Sequence, residues 1–354
     1  MAQLLELFPE ELTELIIAMG EKKFRANQIY EWLQRGTDFD EMNNLPQSLR
    51  DRLKQEHVAC PVSIRECVSS VHDDTRKILF ELKDGNCIEG VLMHYHYGYS
   101  LCISTQVGCR MGCRFCASTL EGKVRDLTAA EMLGEYITAG KLLPEGERIG
   151  HIVLMGSGEP LDNYDETVRF IRLITGEKGQ NLSARHISLS TCGLVENMYR
   201  LADEKLPVTL SVSLHAPDDT IRKQIMPIAL KYSIDEIIKA CEYYIEKTGR
   251  RVIFEYALIR NINASPAHAK KLASRLRGMQ CHVNLIPLNT VKERNLIGVN
   301  EKEIAEFLTE LESAGISATR RREMGDDIEG ACGQLRKHRI EEREKAHESS
   351  ISYT

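Results

Sequence analysis

The chain has 354 residues, of which 42% are hydrophobic and 28% charged, and its formal net charge is −6. This length suits one large domain with a smaller one, and the lack of a basic leader or a membrane-length apolar run predicts a cytoplasmic protein with no membrane partner. The net negative charge, taken alone, disfavours nucleic-acid binding, because contacts to phosphates need Lys and Arg.

Apolar residues at helical spacing predict a helical N-terminal domain over residues 1–60. The positions that carry this pattern are Leu12, Leu15, Ile16, Met19, Phe24, Ile29, Trp32 and Leu33. Pro46 ahead of Leu49 and Leu53 predicts a further short helix. The run Lys22-Lys23-Phe24-Arg25 is a candidate basic patch for RNA, although such a run is more often a solvated face.

Residues 61–97 alternate between apolar and polar side chains, as strands do. The turn Lys83-Asp84-Gly85-Asn86 separates two apolar runs, 77–82 and 87–93. We therefore expect a β-hairpin extension that leads into the main domain.

Strands and helices alternate through the main domain, residues 98–335. The apolar strand cores are 101–103, 152–155, 187–190, 208–214, 252–256 and 283–286. Helices at 128–139 and 233–247 fit between them, each opening on a capping residue three positions before a Glu. Near-continuous apolar strands separated by helices predict an α/β fold with a parallel sheet, here an incomplete (β/α)6 barrel with its chemistry at the C-terminal strand ends. The charged stretch 336–354 is predicted to be a tail.

The most informative segment follows the first of these strands. Cys109, Cys113 and Cys116 have the spacing C-x3-C-x2-C. Three thiolates can hold three irons of a 4Fe–4S cluster, which leaves one iron open to bind a small chelating molecule. A structural zinc site is the alternative, but the histidines near this segment do not supply a second pair of ligands at zinc spacing. Eleven cysteines in a cytoplasmic chain also favour metal or redox chemistry over a disulfide framework.

Polar residues follow several other strands. After the second strand come Gly158 and Glu159, where glycine admits a ligand close to the backbone and the carboxylate can accept hydrogen bonds from an amino group. Further along the chain, the strand ends carry Ser190, Ser213, Leu214, His215 and Asn289. Each is more often structural when alone, but at the ends of neighbouring strands they form a pocket rim that favours ligand binding.

Two more cysteines are singled out by their surroundings. Cys102 lies in the first strand, whereas Cys332 lies beyond the last one in a stretch of small and acidic residues. An isolated cysteine is usually a small buried hydrophobe, and the remaining cysteines receive that interpretation. The neighbours of Cys332 are instead typical of a loop that could bring a nucleophilic thiolate into an active site.

Taken together, these segments resemble the RlmN/Cfr family of radical S-adenosylmethionine (SAM) RNA adenine methyltransferases. The resemblance covers nearly the whole chain and is carried by 101–109, 158–161, 213–217, 284–289 and 325–335. It implies a partial radical-SAM barrel with an N-terminal accessory domain that binds RNA. It also implies a 4Fe–4S cluster on Cys109, Cys113 and Cys116, and two SAM molecules per turnover held by the pocket-rim residues.

The resemblance further implies a role for three residues. Cys332 would receive a methyl group from one SAM and carry it to adenine, Cys102 would resolve the covalent protein–RNA adduct, and Glu89 would accept a proton. An amidine-type carbon of adenine is electrophilic and cannot attack a sulfonium methyl as a nucleophile. A radical made from the second SAM removes that obstacle.

The implied substrate is C2 of an adenine in the peptidyl transferase centre of 23S rRNA, with tRNA as a further substrate. A flavodoxin or ferredoxin would be the reductant, the chain would act as a monomer, and a disulfide bond is implied as well. The proline at 160 and the Pro287-Leu288 pair are similar to the C2-methylating branch, whereas Ser157 replaces the Met that is more common in the family.

Two alternatives stay open at this point. One is a C8 methyltransferase of the same family, and the other is a non-catalytic iron–sulfur or zinc protein that only binds RNA. The run Arg320-Arg321-Arg322, together with the N-terminal domain, is the candidate surface for RNA contact.

Overall fold

The computed structural model describes residues 2–288, 295–322 and 324–328. Its helices are Pro9–Ala18 (α1), Phe24–Gln34 (α2), Gln47–Glu56 (α3), Ala129–Gly140 (α4), Tyr164–Thr175 (α5), Val195–Asp203 (α6), Asp219–Ile225 (α7), Ile234–Thr248 (α8), Pro266–Leu276 (α9) and Glu301–Ser313 (α10). Its strands are Ala2–Gln3 (β1), His57–Val58 (β2), Val62–Ser69 (β3), Arg76–Leu82 (β4), Cys87–Tyr95 (β5), Gly98–Cys102 (β6), Gln106–Gly108 (β7), Lys123–Asp126 (β8), Ile149–Leu154 (β9), Ile187–Thr191 (β10), Thr209–Ser213 (β11), Val252–Leu258 (β12), Cys281–Pro287 (β13) and Ala318–Arg320 (β14).

A ten-stranded mixed sheet forms the main body, with the strand order β14-β13-β12-β11-β10-β9-β6-β5-β4-β3. Strands β6 and β9 to β14 run parallel, and β5, β4 and β3 add to the free edge of β6 in antiparallel fashion. The predicted partial barrel is therefore confirmed. Strand β14 extends it by one strand that the sequence hides, because it has 3 residues and two of them are polar and exposed.

The extension before the barrel differs from a simple hairpin. Strand β3 pairs with β4, and β4 with β5, so that three antiparallel strands continue the parallel sheet. Val62 on β3 packs closely against α4, where a Cβ added to Gly134 would lie 2.7 Å from the valine side chain. The extension is thus joined to the barrel by the pairing of β5 with β6 and by the packing of β3 on α4.

The predicted helix starts are present at α4 and α8. The hydroxyl of Thr128 accepts a hydrogen bond from the Glu131 nitrogen, and Ser233 accepts one from Glu236 in the same way. In both cases the glutamate side chain bonds back to the nitrogen of the capping residue, which satisfies donors that a helix start leaves unpaired.

The N-terminal domain covers the outer face of α4. Thr128 donates a hydrogen bond of 2.7 Å to Gln3 Oε1, and Lys141 donates one of 2.6 Å to the carbonyl of Gly36. Helix α4 is consequently buried on nearly all sides. Within the described residues no helix is both long and apolar enough to cross a membrane.

The two faces of the barrel strands differ in polarity. The faces turned toward the helices carry fully buried apolar residues such as Leu189, Leu210 and Phe254. The opposite face is partly polar, and the strand register places Ser213 beside Glu255, and Glu255 beside Asn284. A barrel whose inner face carries such groups provides polar contacts for a bound ligand.

Candidate active site

The three-cysteine loop is held in place on several sides. Thr119 Oγ1 donates hydrogen bonds to the carbonyls of Cys113, at 3.1 Å, and Cys116, at 2.9 Å. The nitrogen of Arg114 bonds to the carbonyl of Ile225 at the end of α7, at 2.9 Å. The loop is thus fixed to the end of α7 as well as to β6 and β7.

The three thiols line one cavity of about 240 Å³ at the C-terminal ends of the parallel strands. We call this cavity the cofactor chamber. Its lining brings together most of the side chains that the sequence singled out: Cys109, Cys113, Cys116, Gly158, Glu159, Ser190, Ser213 and His215. Leu288, which directly follows β13, also lines the cofactor chamber. The next residue, Asn289, lies outside the described residues.

Leu214 is the exception among the predicted pocket residues. Its side chain is fully buried in the hydrophobic core, and it does not belong to the chamber lining. Its backbone nitrogen donates to the carbonyl of Glu255 at 3.1 Å. Leu214 therefore shapes the strand end between Ser213 and His215 instead of offering a side chain to a ligand.

The second strand end approaches the backbone of the loop after β6 very closely. A Cβ added to Gly158 would lie 2.6 Å from Thr105 Oγ1 and 2.7 Å from the nitrogen of Gln106, and its φ is +114°. Only glycine fits such a position without moving backbone. This close contact places Glu159 at the chamber wall.

Glu159 is buried and held rigidly. Its Oε2 accepts a hydrogen bond of 2.7 Å from the nitrogen of Cys192, and its Oε1 accepts one of 3.1 Å from Leu161. Burial raises the pKa of this carboxyl, although the hydrogen bonds that it accepts oppose that shift. The carboxylate keeps lone pairs for a further donor, such as an amino group in the chamber.

His215 enters the chamber as a neutral ring. Its Nδ1 accepts a hydrogen bond of 2.9 Å from the nitrogen of Ala257, so the proton of the neutral ring is on Nε2. Burial, with a smaller contribution from Arg222, lowers the pKa of His215 to about 3. The residue also has φ of +54°, a strained conformation that Asn263 supports by donating to the His215 carbonyl at 2.7 Å.

Arg222 is a functional candidate that sequence reasoning missed. Its side chain is fully buried under the chamber and donates to three strand-end carbonyls, those of Cys192 at 2.6 Å, Leu214 at 3.2 Å and Ser213 at 3.3 Å. Among the described residues its Nη1 has no hydrogen-bond partner. A lone Arg in a short helix gives no signal in the sequence, because its partners are backbone carbonyls far along the chain.

Two charged residues also line the chamber: Glu255, which was not predicted, and Arg321, which the sequence analysis assigned to the candidate surface for RNA contact. Glu255 is buried, and its Oε2 accepts a hydrogen bond of 2.9 Å from Asn284. Burial raises the pKa of Glu255, and the nearby Arg321 opposes that rise. Glu255 could have been predicted as a functional residue, because it is the charged residue within the apolar run 252–256. Carboxylates are rarely buried in a strand unless they are paired or bind a ligand.

Cys102 and Glu89 lie outside the chamber lining, on the inner face of β4, β5 and β6. Lys77 pairs with Val91 across β4 and β5, and Val91 pairs with Cys102 across β5 and β6, so these side chains share one face. Glu89 precedes Val91 by two residues and therefore has the same orientation. We call Lys77, Glu89, Val91 and Cys102 the resolving face.

The resolving face carries a buried ion pair. Lys77 is 1% exposed and Glu89 is 5% exposed, and Lys77 Nζ lies 3.5 Å from Glu89 Oε2. Burying a single charge is unfavourable in free energy, and the opposite charge of the partner offsets that cost for both residues. Met155 packs against the cluster of Val91, Met93 and Cys102 and also lines the cofactor chamber, so the two regions adjoin.

Cys332 lies outside the described residues. Met324, eight positions earlier in the sequence, packs against the apolar cluster that contains Cys102. The chain that leads toward Cys332 therefore passes the resolving face.

Comparisons with known proteins agree with this geometry. Residues 103–273 match the radical SAM superfamily, and residues 2–59 match the ribosomal RNA large subunit methyltransferase N-terminal domain. A probable dual-specificity RNA methyltransferase RlmN from Alkaliphilus oremlandii is 52% identical over 339 residues, which cover 96% of this chain and 98% of the relative. A second protein of that description, from Clostridium perfringens, is 52% identical over 345 residues, covering 97% of this chain and 99% of the relative.

The chain belongs to the RlmN family. It is a methyltransferase of the radical SAM superfamily, as the resemblance implied. The crystal structure of a radical SAM methyltransferase from Sphaerobacter thermophilus superimposes with a TM-score of 0.91 at 43% identity, covering 94% of this chain and 99% of that one. The fold prediction is thus confirmed over almost the full length.

Radical SAM proteins use a 4Fe–4S cluster and SAM, and the chamber fits both groups. Burial raises the pKa of Cys109 to about 12 and raises that of Cys113 as well, while Arg222 opposes the shift at Cys113. Buried thiols of this kind become thiolates when cationic iron compensates the charge. Glu159, His215 and the strand-end serines then supply polar groups for SAM beside the cluster.

Membership of the radical SAM superfamily decides between the two alternatives for the three-cysteine loop, in favour of the 4Fe–4S cluster and against structural zinc. The implied disulfide bond is not supported, because no disulfide joins two cysteines of the described part of the chain.

Proposed function

We propose that this enzyme methylates C2 of an adenine in RNA, with 23S rRNA as the main substrate and tRNA as a second one. The observation that carries the proposal is the adjacency of two thiol sites of different kinds. The cofactor chamber holds three thiols in a cluster loop, and the resolving face next to it holds Cys102 and a buried carboxylate. A cluster alone requires no second thiol site.

In this proposal the cofactor chamber binds the cluster and SAM and shields them from water. When bound, the cluster and SAM supply a radical that activates a methyl group for transfer to an electrophilic ring carbon. Glu159 and His215 orient SAM through its amino group and its hydroxyl or carboxylate groups, and neutral His215 does so without adding charge. Arg222 fixes the strand ends that carry Cys192, Ser213 and Leu214 and stabilises negative charge at the cluster loop.

The resolving face releases the product. In this proposal Cys332 carries the methyl group and becomes linked to the RNA through it. The Cys102 thiolate then attacks the sulfur of Cys332, and a sulfur–sulfur bond forms. The bond between that sulfur and the transferred carbon breaks with its electron pair on the carbon, which takes up a proton to become the methyl group. The reductant later returns the disulfide to two thiols. Glu89 accepts the proton that leaves C2 of adenine, and the Lys77 ammonium holds the Glu89 carboxylate in place.

The RNA contacts that we propose lie on two basic runs. Lys22 and Lys23 are exposed beside Phe24, which is 50% exposed and available for stacking on a base. In the second run Arg320 pairs with Glu301 at 2.7 Å, whereas Arg321 lines the cofactor chamber. All three arginines are exposed. Because Arg320 is paired with Glu301, charge reversal at Arg322 should weaken RNA binding more than charge reversal at Arg320.

Pro287 and Leu288, which resemble the C2-methylating branch, line the cofactor chamber. In our proposal they shape the approach of the adenine. In our proposal a flavodoxin or ferredoxin supplies the electrons, and the chain works as a monomer.

The decisive test is mass spectrometry of nucleosides from 23S rRNA and tRNA after incubation with the reconstituted enzyme, SAM and a reductant. We expect 2-methyladenosine in both RNAs and none with the Cys332→Ala variant, which should keep its iron. Formation of 8-methyladenosine would replace the C2 assignment by C8. An RNA that stays unmodified while the iron content is complete would contradict the proposal.

A further inference from the structure

The turn between β3 and β4, residues 70–75, is bonded to the distant segment 324–328. Asp327 Oδ1 accepts a hydrogen bond of 2.6 Å from the Ser70 hydroxyl, and Oδ2 accepts one of 2.8 Å from the nitrogen of Val71. In the opposite direction, the nitrogen of Gly325 donates to Asp73 Oδ2 at 3.1 Å. Three hydrogen bonds therefore join the two segments: the turn donates two of them and the distant segment donates one.

The turn is also held by hydrogen bonds of its own. Ser70 Oγ accepts from the nitrogens of His72, at 3.0 Å, and Asp73, at 3.2 Å, which leaves its proton free to point at Asp327. Asp73 Oδ1 accepts from the nitrogen of Thr75 at 2.9 Å, which turns Oδ2 toward Gly325. A preformed acceptor and a preformed donor lower the entropy cost of docking the segment.

The fit also depends on shape and charge. Gly325 has φ of +60°, and a Cβ there would lie 3.0 Å from the Thr75 side chain. The hydrogen bond from Ser70 holds the pKa of Asp327 below its usual value. For Asp73, burial raises the pKa, but the hydrogen bonds from Thr75, Gly325 and Ser70 outweigh burial and leave it lowered. Both carboxylates are therefore bound in their charged form.

The docked segment continues toward both cysteines of the proposed reaction. Met324 packs against the apolar cluster of Val91, Met93 and Cys102. On its other side, Ile328 precedes Cys332 by four residues, a reach of at most about 14 Å. Fixing 324–328 on the turn thus limits the space that the Cys332 thiol can explore around Cys102.

We propose that the 70–75 turn is a clamp that positions the Cys332 segment for attack by Cys102. Ser70, Asp73 and Asp327 are the positioning residues of this clamp. The inference rests on the proposed function, in which the Cys102 thiolate attacks the Cys332 sulfur. Nothing in the clamp touches the cofactor chamber, so its loss should leave iron and SAM binding unchanged.

The clamp is tested by the rate of disulfide formation between Cys102 and Cys332 in the anaerobic holoenzyme without RNA. Diamide oxidises the two thiols to one disulfide and is itself reduced to the hydrazine, taking up both protons. Peptide mass spectrometry follows the Cys102–Cys332 product. In Asp73→Asn and Asp327→Asn, an NH2 group replaces one carboxylate oxygen and cannot accept the hydrogen bond that this oxygen received. We expect the rate of cross-linking to fall about tenfold in each variant.

Asp74→Asn is the matched control, since it removes the same charge from the same turn. Asp74 is exposed, and its Oδ2 lies 3.1 Å from His94 Nδ1 on β5, so its variant should cross-link at the wild-type rate. Ser70→Ala should slow cross-linking and Ser70→Thr, which keeps the hydroxyl, should restore it. In turnover, the clamp variants should lower kcat while KM, iron content and Tm stay close to wild type.

The outcomes separate the clamp from the proposed function. If the wild type methylates RNA and the Asp73→Asn and Asp327→Asn variants cross-link as fast as Asp74→Asn, the clamp is wrong and the function stands. If the wild type leaves RNA unmodified, yet the variants still slow cross-linking, the clamp stands as a positioning device and the proposed function is wrong. Equal losses of Tm or iron in all variants would also overturn the clamp.

Discussion

The cofactor chamber and the resolving face adjoin in one barrel, but they are built in different ways. The chamber lies at the ends of parallel strands, where loops supply thiols and buried groups such as Arg222 hold the loop backbone. The resolving face lies on an antiparallel extension, where cross-strand register places Lys77, Val91 and Cys102 side by side. Loops tolerate changes in length and sequence, so the groups that they supply to a cofactor can vary. Strand register, in contrast, fixes the spacing of side chains on a sheet.

This difference predicts that variants divide into two groups. Changes in the chamber should alter iron or SAM binding, and changes on the resolving face should alter turnover while leaving both unaffected. The following variants test that division in order of the size of effect that we expect.

The largest effect should come from Arg222→Met. Removing the guanidinium leaves the carbonyls of Cys192, Ser213 and Leu214 buried without their donor, and we expect a loss of about 4 kcal/mol in unfolding free energy. Iron content after reconstitution should fall as well. Lys223→Met, an exposed position on the same helix, is the control and should change neither quantity. Full iron content in a stable Arg222→Met protein would contradict the role given to this residue.

Lys77→Met tests the resolving face. It leaves the Glu89 carboxylate buried without its cation, which should cost about 3 kcal/mol and greatly reduce turnover, since the carboxylate loses its position. Iron content and SAM affinity should stay at the wild-type level. Lys83→Met, exposed in the following turn, serves as the control. Loss of iron in Lys77→Met would erase the distinction between the two regions.

Glu159→Gln should act on SAM alone. Both carboxylate oxygens accept hydrogen bonds from backbone nitrogens, those of Cys192 and Leu161. In the glutamine variant the NH2 group faces one of these donors and cannot accept its hydrogen bond. We expect the affinity for SAM to fall about tenfold with the cluster retained. Isothermal calorimetry on the reconstituted protein measures the first quantity, and iron analysis measures the second. Unchanged SAM affinity would remove Glu159 from the binding groups.

The smallest effect concerns the pH dependence of stability. His215 has a pKa of about 3 in the folded chain, below the value of about 6.5 for an unfolded one, so the unfolded chain binds a proton that the folded chain refuses. Stability should therefore fall as pH drops below 6.5, by up to about 1.4 kcal/mol per pH unit for this group. Urea unfolding at pH 6.5 and pH 5 should show a shallower decline for His215→Asn. An equal decline would mean that His215 titrates normally.

Much of this architecture could be predicted from the sequence because its signals are local. The helix starts at Thr128 and Ser233 need only a capping residue and a glutamate three positions later, and both are present. The cysteine loop and the Gly158-Glu159 turn are likewise short motifs, and the chamber brings them together.

The features that could not be predicted depend on contacts between distant parts of the chain. Arg222 bonds to carbonyls on two other strand ends, and a carbonyl leaves no mark in a sequence. The contact between Ser70 and Asp327 joins residues 257 positions apart, so neither residue signals the other. Strand β14 has 3 residues, of which two are polar and exposed, so its sequence does not differ from that of a solvated run.

The most direct test of the account uses Cys102→Ala. Without the resolving thiol, the bond between Cys332 and RNA has no route to break, so incubation with RNA, SAM and reductant should accumulate a covalent protein–RNA species, resolved on a denaturing gel and confirmed by mass spectrometry. The iron content of this variant should equal that of the wild type, since Cys102 lies outside the chamber. Normal RNA methylation with no covalent species would contradict the division of labour between the cofactor chamber and the resolving face.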